Sequence, residues 1–93
     1  MKYRTYESRH YRKSLRKLLM AGLIDTDTVD FITHELAAGR QLDPKYRDHS
    51  LRGDLAHLRE CHVRPDTLLL YELRDSELIL LLINIGSHSQ LFG

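Results

Sequence analysis

Thr67–Ile85, TLLLYELRDSELILLLINI, decides how the 93-residue chain folds. It holds two apolar runs, Thr67–Leu73 and Glu77–Ile85, bridged by the polar triplet Arg74-Asp75-Ser76. Near-continuous apolar character over so few residues is what strands covered on both faces require. Leucine also suits helices, so the strand reading rests on run length, spacing and the turn residues between the runs. Working upstream, Asp54–Val63 reads as another strand, joined to the first run by a tight turn at Arg64-Pro65-Asp66. The three form an antiparallel meander. Leu42–Gly53, with Pro44 and Gly53, reads as an irregular segment leading into it.

The first half has helical spacing. Lys2–Tyr6 alternates weakly and fits a short strand. Ser8 is placed to cap a helix running to Met20, with Gly22 as its stop and Tyr11, Leu15, Leu18 and Leu19 as its apolar stripe. A second helix starts among Asp25–Thr28 and ends near Ala38, with Gly39 as its left-handed stop; Val29, Ile32 and Leu36 form its stripe. The fold class expected is α+β, one domain spanning residues 1–93, with two N-terminal helices packed on a small, mainly antiparallel sheet.

Composition narrows the function. One cysteine, Cys61, excludes an internal disulfide framework and a zinc cage of paired cysteines. The longest unbroken apolar run, Leu78–Ile83, is far too short to span a bilayer, and the polar opening MKYRTYESRH lacks the apolar core of a signal peptide. A soluble cytoplasmic protein with no membrane partner is the expectation. The net charge of +1 conceals a split. Residues 1–24 carry seven Lys or Arg and one acid, whereas residues 25–93 carry seven basic and twelve acidic side chains. Arg9, Arg12, Lys13, Arg16 and Lys17 recur at i, i+3, i+4, i+7 and i+8 and gather on one helix face. Such a face suits a polyanion, although a basic solvent face can also serve solubility alone.

The meander brings His62, Asp66, Thr67, Asn84 and His88 to one end of the sheet, because antiparallel strands return distant residues to the same edge. Two imidazoles with a carboxylate suit cleavage of an RNA phosphodiester: one group takes the 2′-hydroxyl proton and another protonates the leaving 5′-oxygen. Such chemistry needs no metal and no cofactor. A metal site from His49, Cys61, His62 and His88 is the weaker alternative, since the spacing matches no compact ligand motif and Cys61 points away from His62 on a strand. Cys61 is expected as a small buried apolar residue. His10, His34 and His57, the last mid-strand, are read as structural. A simple hairpin centred on Arg52-Gly53 would leave His49 about 25 Å from His62. His49 joins the site only if residues 45–53 fold back across the sheet face.

The segments YRDHSLRG (46–53), RECHVRPD (59–66), LLLYEL (68–73) and IGSHSQLF (85–92) resemble the YafQ branch of the RelE/ParE toxin superfamily. The resemblance covers most of residues 46–92, in the family's order and spacing. It implies a toxin of a type II toxin–antitoxin pair: a ribosome-dependent messenger endonuclease acting in the A site without a metal. The implied partner is a DinJ-like ribbon-helix-helix antitoxin, and operator DNA is met only through the antitoxin complex. By motif position, His49, His62, Asp66 and His88 match catalytic positions, and Phe92 matches an aromatic that positions the nucleotide. The resemblance also favours the fold-back that His49 needs. The basic helix face becomes a contact to ribosomal RNA.

Two positions depart from the family pattern. Thr67 stands where Trp is frequent, and Asn84 stands where Arg is usual; both belong to the expected substrate-binding set. An arginine there would hold the scissile phosphate with a charge-assisted contact, whereas asparagine brings no charge. Three readings follow: an active or attenuated endoribonuclease, a catalytically weak homologue serving as an antitoxin-bound corepressor, and a gyrase-targeting toxin of the ParE kind. The histidine set speaks against the third.

Overall fold

A computed structural model describes all 93 residues. The chain runs through β1 (Arg4–Glu7), α1 (Arg9–Met20), α2 (Thr26–Ala37), β2 (His49–Ser50), β3 (Arg59–Arg64), β4 (Thr67–Arg74), β5 (Ile79–Gly86) and α3 (His88–Phe92). Short 3-10 turns at Pro44–Tyr46 and Gly53–Leu55 flank β2. The sheet has five strands in the order β1-β5-β4-β3-β2, all antiparallel except β1, which runs parallel to β5. The fold is α+β, as expected.

Local chemistry explains the helices. The Ser8 hydroxyl accepts from the Tyr11 amide, satisfying one free donor of the first turn, and donates to the Ile83 carbonyl at 2.5 Å. One side chain thus caps α1 and ties its start to β5. Asp25 caps α2 through the Thr28 amide at 2.7 Å. Tyr11, Leu18, Val29, Ile32 and Leu36 from the helices meet Cys61, Leu69, Tyr71, Leu80, Leu82 and Ile85 from the sheet. Each of these fully buried aliphatic side chains contributes about 1.5–3 kcal/mol by leaving water.

Four sequence expectations are corrected. β3 begins at Arg59, not Asp54, because Gly53–Leu55 coils into a 3-10 turn; His57 therefore lies exposed in a loop, not mid-strand. The hairpin loop spans residues 51–58, so β2 pairs directly with β3. His49 lies opposite Glu60, two positions from His62, and neither the ~25 Å separation nor a fold-back across the sheet face occurs. Residues 87–92, left without an element by the sequence reading, form α3. Finally, β5 begins only at Ile79, after Leu78 turns the chain at φ 56°.

Candidate active site

Directly opposed residues of neighbouring strands project to the same face, so the register maps the site. One row crosses the sheet as His49, Glu60, Leu70 and Asn84. The next row holds His62, Leu68 and Gly86. Both rows alternate with the core residues Cys61, Leu69 and Ile85, and so lie on the face turned away from the helical core. Leu68 and Leu70 are buried between the polar positions. The first row spans three strand steps, about 14 Å.

His49 is held at both ring nitrogens. Nδ1 donates to the Arg47 carbonyl at 2.7 Å, and Nε2 meets Glu60 Oε1 at 3.0 Å. Glu60 is the candidate-site residue that sequence reasoning missed: an acid in mid-strand reads as a solvent-facing side chain. Its register partner gives it a role, and its second oxygen, Oε2, is buried with no partner in the chain.

Behind the strands, a second cluster fixes the same segment. The Tyr71 hydroxyl donates to Asp48 Oδ1, Arg59 Nε donates to that hydroxyl at 3.3 Å, and the Arg59 guanidinium lies 3.4 Å from Asp48 Oδ2. Burial pushes the Tyr71 hydroxyl pKa well above its ordinary value, and the bond to Asp48 adds to the shift. Asp48 and Arg59 precede His49 and Glu60, so neighbouring residues of β2 and β3 are clamped on opposite faces of the sheet. A two-residue strand has little ladder of its own, and this ring supplies the missing anchorage.

At the sheet end, His62 Nδ1 donates to the Pro65 carbonyl at 3.3 Å, which leaves Nε2 as the ring's free nitrogen. Asp66 occupies the exposed β3–β4 turn, and Thr67 is buried opposite Arg64. His88 opens α3 and lies 5.1 Å from the ring of Phe92, one turn later. Ser87 and Gln90 cap that short helix reciprocally, and the S-x-x-Q signature was present in the sequence at 87–90. Gly86 permits the approach of α3, because a Cβ there would fall 2.6 Å from Gln90 Oε1. Asn84 spends its Oδ1 on the Ile85 amide at 2.9 Å.

The fold brings His62, Asp66, Gly86 and His88 to one sheet end, with His49 and Asn84 in the adjoining row. Cys61 faces the core instead, where burial pushes its thiol up to about 12. No three His, Cys, Asp or Glu side chains gather closely enough to hold a metal ion. Arg9, Arg12, Lys13 and Arg16 line an open cleft on α1 and make no ion pair, while Lys17 lines a smaller cleft beside Asn84.

Comparison with known proteins places this architecture. The curated mRNA interferase toxin YafQ of Escherichia coli K12 is 42% identical over 48 residues, which cover 52% of this chain and 50% of that protein. The chain thus spans about half the length of the curated relatives it matches. Over nearly the whole chain, the fold matches the crystal structure of a metal-bound toxin from Helicobacter pylori, with a TM-score of 0.90 and 39% identity, covering 99% of this chain and 100% of that one. It also matches the E. coli DinJ–YafQ complex with a TM-score of 0.87 and 26% identity, covering 98% and 99%. No helix is long and apolar enough to cross a membrane. The family described as the bacterial toxin of the type II toxin-antitoxin system, YafQ, matches residues 3–93, and the chain belongs to that family.

Proposed function

We propose that the protein is a ribosome-dependent messenger endonuclease that cuts by general acid–base catalysis. The observation that carries this reading is the gathering of His62, Asp66 and His88 at one sheet end beside the His49–Glu60 pair. His62 Nε2, assisted by Asp66, takes the proton from a ribose 2′-hydroxyl. That oxygen attacks the adjacent phosphorus, forming a cyclic phosphate, and His88 gives a proton to the departing 5′-oxygen. Phe92 supports the His88 ring and offers a face to a base. His49, oriented by Glu60 and the Arg47 carbonyl, donates from Nε2 towards charge growing on the phosphoryl oxygens once that nitrogen exchanges Glu60 for the phosphate. Dependence on the 2′-hydroxyl restricts the substrate to RNA. The H. pylori relative is metal-bound; here no three His, Cys, Asp or Glu side chains gather closely enough to hold a metal ion.

The basic face of α1 supplies the contact to ribosomal RNA, with Arg9, Arg12, Lys13, Arg16 and Lys17 as its charges. A DinJ-like antitoxin is the proposed partner, in line with the DinJ–YafQ complexes that share the fold. Operator DNA would then be met through that complex. Asn84 supports the second reading, a weakly catalytic corepressor, because it carries no charge and can offer a phosphate only a neutral amide donor.

Mapping messenger 5′ ends in a purified translation reaction tests the proposal. Cuts that require ribosomes and vanish with His88→Ala support the endonuclease. An intact messenger with folded wild-type protein moves the assignment to the corepressor.

A further inference from the structure

Phosphodiester cleavage builds negative charge on the phosphoryl oxygens, and a site that performs it profits from fixed positive charge nearby. The two rows that hold His49 and His62 contain no lysine or arginine: they read His49, Glu60, Leu70, Asn84 and His62, Leu68, Gly86. Arg59, the nearest cation along β3, is engaged on the other face by Asp48 and Tyr71. The positive charge must come from the flanks.

One flank is built for it. A cleft of about 500 Å³ opens beside His62, lined by Thr28, Lys45, Tyr46, Arg47, His62 and Arg64 among others. That volume suits a small ligand such as one nucleotide unit. Three of those side chains are cationic, and neither Lys45 nor Arg47 has a carboxylate partner. Arg64 is held against Asp25 at 2.5 Å and forms a fixed part of the wall. Tyr46 is half-buried against Phe31, with ring centroids 6.4 Å apart, and Lys45 Nζ lies 5.2 Å from its centroid.

Arg47 is the best-presented of these charges. It stands in the left-handed region at φ 50°, uncommon for a residue with a side chain. Its amide donates to the Pro44 carbonyl at 3.0 Å, and its own carbonyl receives the His49 Nδ1 proton. One residue therefore orients His49 through its backbone and places a free guanidinium in the cleft that contains His62.

We infer that this cleft is a phosphate-binding subsite for the RNA strand next to the scissile bond, with Arg47 and Lys45 gripping the phosphate and Tyr46 offering a face to the base. The subsite supplies from the 44–47 turn the charge that Asn84 does not bring on β5. It rests on the RNA-cleaving reading for its substrate, but not for its binding test.

The probe is a 2′-O-methyl RNA hexanucleotide, which binds but cannot be cut, titrated into ¹⁵N-labelled protein. Amide shifts at residues 45–47 and 64 are expected. Arg47→Asn tolerates the left-handed backbone and removes the charge. It should weaken binding about tenfold and reduce the slope of log affinity against log salt by roughly 0.7, one phosphate contact to a single strand. Arg47→Lys should restore most of the affinity. In the translation reaction, Arg47→Asn should lower cutting by roughly 10- to 100-fold, and adding Asn84→Arg should recover at least part of it. A merely structural role for Arg47 gives no such recovery. Shifts confined to α1, or unchanged affinity in Arg47→Asn, overturn the subsite even if the wild type cuts RNA. Charge-dependent binding at 45–47 by a protein that cuts nothing leaves the subsite standing and removes the endonuclease.

Discussion

Tyr71→Phe isolates the contact that anchors β2. The Tyr71 ring is fully buried, and phenylalanine fills the same space, so the substitution opens no cavity. It deletes one hydroxyl, which donates to Asp48 and accepts from Arg59. Asp48 is largely shielded from water, its side chain retaining 19% exposure, and keeps only the Arg59 contact at 3.4 Å. A hydrogen bond to a charged group contributes about 1.5–3 kcal/mol, and the surviving ion pair places this one near the lower end, about 1.5–2 kcal/mol. For a chain of this length that corresponds to a fall in Tm of roughly 8–10 °C. Urea unfolding of Tyr71→Phe, Asp48→Asn and the double variant should show coupling of about 1 kcal/mol or more, because the residues share one bond. Because Asp48 adjoins His49, the His49 ring resonances should also broaden or shift, whereas those of His88 should not. Strict additivity, with His49 unmoved, would refute the anchoring role.

Other substitutions probe the remaining supports. Gly86→Ala puts a methyl 2.6 Å from Gln90 Oε1, so that amide must swing away and give up its bond from the Ser87 N–H; the start of α3 that carries His88 loosens, and cutting should drop at least tenfold while the melting temperature changes little. Ser87→Ala removes the reciprocal cap of α3 at a cost of about 1 kcal/mol, read as faster amide exchange in residues 89–92. Cys61 should resist iodoacetamide in the folded protein at pH 8 and react only on unfolding, because burial raises its thiol to about 12. The Asp25 carboxyl is held below its ordinary value, first by the Thr28 amide and hydroxyl and then by Arg64. A depressed folded pKa means that its stabilisation is present above the unfolded value and lost as pH falls through the folded one. Asp25→Asn should therefore narrow the gap in stability between pH 6 and pH 3, and an unchanged gap counts against the cap.

The sequence made the strands at 67–74 and 79–86 readable because leucine and isoleucine runs of that length, separated by Arg-Asp-Ser, have no other economical burial. Ser8, Asp25 and the two following glycines marked the helices for equally local reasons. What stayed hidden was register. Whether Asp54 or Arg59 opens β3 depends on the 3-10 turn at Gly53–Leu55, and that choice alone moves His49 from a remote loop to a position opposite Glu60. Glu60 and the Asp48–Tyr71–Arg59 ring could not be found without it, since their partners lie 11–23 residues away in sequence. α3 is too short for periodicity to reveal, although its Ser87…Gln90 cap was visible.

The order β1-β5-β4-β3-β2 also governs when the molecule comes into being. Arg4 pairs with Ile79, so the first strand has no partner until β5, the last strand of the meander, exists. Closing so long a loop places this fold among the slower ones for its size. A chain halted before residue 79 lacks the cover for Tyr11 and Leu18 and the strand that leads to His88. A fragment released before residue 79 therefore lacks both the completed core and His88, so on the proposed mechanism cleavage becomes available only with the last stretch of synthesis.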